Sequence, residues 1–137
     1  MANAFMQNAK KLNFKAIIHQ DYMLATELKA YGVHLNSKQF IAIKRAKELG
    51  LFVVISTHTK DDIKEAIKEG ADAVTFSPIF ETPNKGKPKG IEILNEIIKE
   101  FGNNIKIIAL GGIVTNKHIK SIEQTNAWGF ASIRYFK

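Results

Sequence analysis

Ile105-Lys106-Ile107-Ile108-Ala109-Leu110-Gly111-Gly112-Ile113-Val114-Thr115 is the stretch that decides the fold. Its first six residues are almost continuously apolar, the pattern of a strand buried on both faces of a parallel sheet. Two glycines interrupt the run, and Thr115 stands where the N-cap of a following helix belongs. Strand, tight turn and capped helix make half of a βαβ unit. Glycines at such a turn let backbone amides approach an anion with no Cβ in the way, and a helix N-terminus adds partial positive charge. Gly111 and Gly112 are therefore candidate phosphate-binding residues, with a plain tight turn as the other reading.

The same alternation extends outward in both directions. Apolar runs cover Phe14 to His19, Gly32 to Leu35, Leu51 to Thr57, Ala71 to Phe80, Ile105 to Ile113 and Trp128 to Tyr135. Between them, Ile63, Ala66 and Ile67, and then Ile93, Leu94, Ile97, Ile98 and Phe101, recur at helical spacing. Thr59 with Asp62 has the form of a capping box, and Ser37 and Thr115 are expected N-caps. Gly50, Gly70 and Gly102 are expected to close helices in the left-handed conformation. The repeat of strand and helix predicts an α/β protein whose right-handed crossovers build either an open doubly wound sheet or a closed barrel. Six strands are predicted, where an eight-stranded barrel typically occupies about 250 residues.

Composition narrows the function classes. No apolar run reaches the roughly 20 residues of a membrane span, and the N-terminus lacks the pattern of a signal peptide, so a cytoplasmic protein without membrane contact is expected. With no cysteine, disulfides, thiolate metal ligands and cysteine nucleophiles are excluded. The net charge of +7 comes from 18 lysines and only two arginines, Arg45 and Arg134, and the lysines alternate with acidic residues along the helical segments. A solvated surface outweighs nucleic-acid binding, because the interleaving of aromatic and arginine residues found on RNA platforms is missing.

In parallel β/α folds ligands sit beyond the carboxyl ends of the strands. The residues there are His19, Gln20 and Asp21; His34, Asn36 and Ser37; Ser56, Thr57 and His58; Ser77, Glu81, Thr82, Asn84 and Lys85; Gly111 and Gly112; and Ser132 and Arg134. The segment from Ser77 to Gly90 holds all three prolines and reads as a long loop at the active end, with Lys85 as its candidate for a phosphate and a solvated loop as the alternative. His19, His34 and His58 lack the carboxylates and close spacing of a metal site, so no protein-held metal is expected. General acid or base work suits their pKa range better.

Taken together, Gly32-Val33-His34-Leu35, Ser56-Thr57-His58-Thr59, Gly70-Ala71-Asp72-Ala73-Val74 leading to Pro78-Ile79-Phe80, then Thr82, Lys85 and Ala109-Leu110-Gly111-Gly112-Ile113, resemble thiamine phosphate synthase and its TenI-type relatives. The resemblance implies a (β/α)8 TIM barrel, of which residues 1–137 would form a single domain covering approximately strands three to eight, incomplete at both ends. It implies an enzyme of thiamine biosynthesis that condenses pyrimidine methyl diphosphate with thiazole phosphate, giving thiamine phosphate and pyrophosphate. A TenI-type thiazole isomerase or a non-catalytic binder of phosphorylated ligands are the alternatives.

By position, the resemblance assigns Ser56 and Lys85 to the pyrophosphate, Thr82 and Asn84 to substrate phosphate, and Gly111, Gly112, Ile133 and Arg134 to the thiazole phosphate. His19, His58 and Lys85 are the expected catalytic residues. The chain departs from the pattern at several points. His19-Gln20 stands where the synthases have Asn-Asp, and Gln39 where they have a magnesium-binding Asp. Pro78 occupies the position of the TenI-type catalytic histidine. The diphosphate grip Gln-x-Arg-x-Lys lies on a strand outside these residues. Mg²⁺ is implied as a cofactor whose usual protein ligands are missing. An incomplete barrel has an unpaired strand at each end of its sheet, so a partner chain, and a homo-oligomer in particular, is a further expectation.

Overall fold

The computed structural model describes residues 1–136. Helices and strands alternate in the order α1 (Ala2–Lys11), β1 (Ile17–His19), α2 (Tyr22–Glu27), β2 (Gly32–Leu35), a 3₁₀ turn (Phe40–Ala42) leading into α3 (Ile43–Glu48), β3 (Phe52–Thr57), α4 (Lys60–Glu69), β4 (Ala73–Phe76), α5 (Gly90–Phe101), β5 (Lys106–Leu110), α6 (Asn116–Glu123) and β6 (Gly129–Ala131). The strands form one sheet in the order β1-β2-β3-β4-β5-β6, every neighbouring pair parallel. A doubly wound sheet reverses its strand order at a switch point. Strictly sequential order with crossovers of one hand instead sends the connecting helices to a single face, as in a barrel wall.

That face carries the core. Val33, Leu35, Val53, Ile55, Val74, Phe76, Ile107 and Ala109 alternate along β2 to β5 and are buried together with Ile63, Ala66, Leu94 and Ile97 of the helices. The opposite face is concave. A cavity of about 340 Å³ is lined by residues from Ile17 and His19 on one edge strand to Ala131 on the other, which requires the sheet to curl into a half-barrel. Phe52 of β3 and Trp128 just before β6 stack across the curl with centroids 6.3 Å apart.

Local chemistry explains most boundaries. Thr59 and Asp62 form the expected capping box, and Thr115 accepts the His118 amide as the N-cap of α6. Gly70 closes α4 at φ +92°. Two expectations are corrected. Ser37 caps nothing: the Asn36 side chain captures the Lys38 amide at 2.8 Å, and the helical turn starts only after Gln39. Gly102 is not left-handed but continues the helical conformation at φ −61°, donating to the Ile98 carbonyl at 2.8 Å. The fourth and last strands are shorter than the apolar runs that predict them. Beyond β4, the Ser77 amide still donates to the Thr57 carbonyl of β3 at 3.4 Å, whereas Ile79 and Phe80 form a strap that pairs with the end of β5.

Candidate functional site

The turn after β5 is built against that strap. Ile79 donates to the Leu110 carbonyl at 2.9 Å and Phe80 to the Gly111 carbonyl at 3.0 Å. Gly111 and Gly112 have φ of +104° and +69°. A methyl group on Gly111 would come within 2.7 Å of Pro78 Cα, and one on Gly112 within 2.5 Å of the Glu81 carbonyl oxygen. The two glycines therefore serve close packing as well as the left-handed turn. Among the described residues, the N–H groups of Gly112 and Ile113 donate to no backbone carbonyl. Two unpartnered amides next to a helix N-terminus are donors of the kind that bind an anion.

The segment after β6 is fastened to the same turn. Ser132 Oγ donates to the Ile113 carbonyl at 2.6 Å, and the Tyr135 hydroxyl donates to Asn116 Oδ1 at 2.6 Å. Ile133 and Arg134 follow Ser132 and precede Tyr135 in the chain, and both are exposed. Through Ser132 the segment that carries Ile133 and Arg134 is tied to the residue following Gly111 and Gly112, the four residues that the family resemblance assigns to one phosphate.

A second group lies on β1 to β4. His19 and His34 are partners in the β1 and β2 register, with ring centroids 6.1 Å apart and edges facing. His34 Nε2 is 3.0 Å from Ser56 Oγ. Burial, reinforced by the neighbouring His19, holds the His34 pKa below the ordinary histidine value. His58 Nδ1 lies 3.0 Å from the Ser77 carbonyl oxygen and 3.3 Å from Ser77 Oγ. A carbonyl can only accept, so Nδ1 carries a proton in this contact, which fixes the ring against the start of the strap.

Thr82, Asn84 and Lys85 belong to an exposed turn of the strap. Thr82 Oγ1 donates to the Phe80 carbonyl at 3.1 Å, Asn84 adopts φ +61°, and the Lys85 amide donates to the Thr82 carbonyl at 3.3 Å. Both ends of the long loop are fixed by Lys89 N–H to the Pro78 carbonyl at 2.8 Å and Gly90 N–H to the Ile79 carbonyl at 2.9 Å. Among the described residues Lys85 makes no ion pair, so its ammonium group is available to an anion.

No group of three or more His, Cys, Asp or Glu is placed to hold a metal among the described residues. Gln39, which the family resemblance sets against a magnesium-binding Asp, accepts the Asn36 amide on Oε1 at 2.9 Å and donates from Nε2 to the Gln20 carbonyl at 3.1 Å. This neutral side chain is a structural bridge between two loops, and the residues present do not fit a carboxylate-held Mg²⁺.

Sequence reasoning missed His118 and Phe80. His118 Nδ1 accepts the Val114 amide at 3.1 Å, and its ring stacks on Phe80 with centroids 4.4 Å apart. The only local signal is the Thr115-x-x-His118 spacing, a capping box with histidine in the carboxylate's place.

The family model described as thiamine monophosphate synthase matches residues 1–136. The chain is 36% identical over 131 residues to a putative thiamine-phosphate synthase 2 of Aquifex aeolicus, covering 93% of this chain and 68% of that protein. It is 36% identical over 109 residues to a thiamine-phosphate synthase of Dictyoglomus turgidum, covering 75% of this chain and 48% of that protein. A solved thiamine phosphate pyrophosphorylase from Pyrococcus furiosus superposes with a TM-score of 0.82 at 25% identity, over 96% of this chain and 63% of that one. The chain thus spans between about half and two-thirds of the length of these relatives.

Proposed function

The chain belongs to the thiamine monophosphate synthase family, and from that premise we propose that it forms the thiazole phosphate end of a synthase-type barrel, its six strands corresponding to the third through eighth. The observation that carries this reading is the pair of amides at Gly112 and Ile113 without a backbone acceptor among the described residues, on a turn to which Ser132 ties the segment carrying Arg134. In the proposed reaction the thiazole ring nitrogen attacks the methylene carbon of pyrimidine methyl diphosphate. The carbon–oxygen bond breaks, and its electron pair leaves with pyrophosphate. The amides of Gly112 and Ile113, with Ile133 and Arg134, hold the thiazole phosphate so that its ring points toward the concave face. Lys85 and Ser56 meet the charge that develops on the departing pyrophosphate, with Thr82 and Asn84 contacting substrate phosphate. Substrates of this charge do not cross membranes unaided, which supports a cytoplasmic setting, and the free edges of β1 and β6 support association with a further chain, a second copy included.

A second reading, thiazole isomerisation, is favoured by His58 at the end of β3, whose ring is oriented by its Nδ1 contact to the Ser77 carbonyl; His19 is the other candidate base. Both readings are separated by supplying the two synthase substrates, or the thiazole phosphate alone, and following pyrophosphate release and isomerisation. Pyrophosphate release that falls in Lys85→Ala supports the synthase reading. Isomerisation abolished by His58→Asn, without pyrophosphate release, supports the second. Saturable binding with neither reaction makes the chain a binder, and absence of thiazole phosphate binding rejects the proposal.

A further inference from the structure

We propose that His118 is a positioning residue for the phosphate turn, setting which amides are free to meet the anion. The inference rests on reading that turn as a phosphate cradle. His118 occupies the third position of α6 and is held there by Thr115 Oγ1, which accepts the His118 amide at 3.2 Å. In the usual capping box the side chain at this position reaches back to the N-cap amide. His118 reaches one residue further, and its Nδ1 accepts the Val114 amide at 3.1 Å. A nitrogen that accepts bears no proton, so the clamp is made by the neutral ring with its proton on Nε2.

The same ring closes the other wall. It lies nearly parallel to Phe80, with 4.4 Å between centroids and 27° between planes. Phe80 in turn donates to the Gly111 carbonyl and packs so tightly on Gly112 that a methyl group there would meet Phe80 Cβ at 2.8 Å. One side chain therefore joins the strap, the turn and the first turn of α6. With the Val114 amide occupied by Nδ1, the amides of Gly112 and Ile113 remain without a backbone acceptor among the described residues and are the donors assigned to the anion. A binding site held by such supporting contacts loses less entropy on binding than a mobile turn.

The test compares the wild-type chain with His118→Phe, which keeps a ring on Phe80 but has no acceptor, and His118→Asn, which restores an acceptor without the ring. Thiazole phosphate affinity is measured by calorimetry, and hydrogen exchange of the Val114 amide by NMR. Loss of one hydrogen bond corresponds to roughly a five- to tenfold change. His118→Phe is expected to weaken binding by about that factor, to accelerate Val114 exchange and to lower the unfolding midpoint by no more than the loss of one hydrogen bond accounts for. His118→Asn is expected to recover Val114 protection and most of the affinity. Wild-type affinity in His118→Phe overturns the inference while leaving the cradle intact. Failure of the wild-type chain to bind overturns the cradle itself. A parallel loss in both variants assigns the effect to the ring and overturns the role given to Nδ1.

Discussion

Ser132 Oγ donates to the Ile113 carbonyl at 2.6 Å across 19 residues of sequence, and the same oxygen accepts the Tyr135 amide at 3.1 Å. Through this one hydroxyl the segment after β6 is locked to the turn after β5. Ser132→Ala is expected to cost about 1 kcal/mol of stability, the net worth of a typical internal hydrogen bond. It should also weaken thiazole phosphate binding, because Ile133 and Arg134 are no longer held beside the turn. Urea denaturation and calorimetry on the same samples check both effects; unchanged affinity with reduced stability would make the tie purely structural.

Gly112 and Gly70 both have positive φ but different surroundings. A methyl group on Gly70 would meet nothing within 4 Å, whereas one on Gly112 would strike the Glu81 and Phe80 backbone at 2.5 and 2.7 Å. Gly70→Ala should cost only the left-handed strain of about 1–2 kcal/mol. Gly112→Ala adds displacement of the strap and is expected to exceed it by a further ~1–3 kcal/mol, as overpacking does elsewhere. Equal losses of stability in the two variants would show that the strap yields.

Burial and His19 lower the His34 pKa, and this has a sign in the stability profile. As pH falls, the unfolded chain takes up its proton first, near the ordinary value of about 6.5. Stability from neutral His34 is complete above that value and is lost as pH drops from it toward the folded-state pKa. The urea midpoint should therefore decline between pH 7.5 and 5.5, and His34→Gln, which cannot titrate, should decline less. An identical decline in both proteins would place the effect on other groups.

Much of the architecture was legible because it is encoded locally. The run from Phe52 to Thr57 is buried through Val53, Val54 and Ile55, and the Thr59 and Asp62 box lies within four residues. The Ser37 expectation failed where tertiary contacts intervene: Gln39 is drawn to the Gln20 carbonyl and Asn36 to its own turn, so the helix starts later. The glycine pair is legible in the sequence as a turn, but the strap that packs on it lies more than thirty residues away in the chain and is not. Phe80 and His118 belong to different loops and meet only through the register of the strap on β5, a relationship no spacing within either loop reveals.

The phosphate cradle is tested most directly by titrating the amide-labelled chain with thiazole phosphate and following backbone resonances. Saturable shifts concentrated at Gly112 and Ile113, extending to Ile133 and Arg134 and abolished by Gly112→Asp, are the predicted result. Small unsaturable shifts spread over the lysine-rich helices, with Gly112 and Ile113 unmoved, would contradict it.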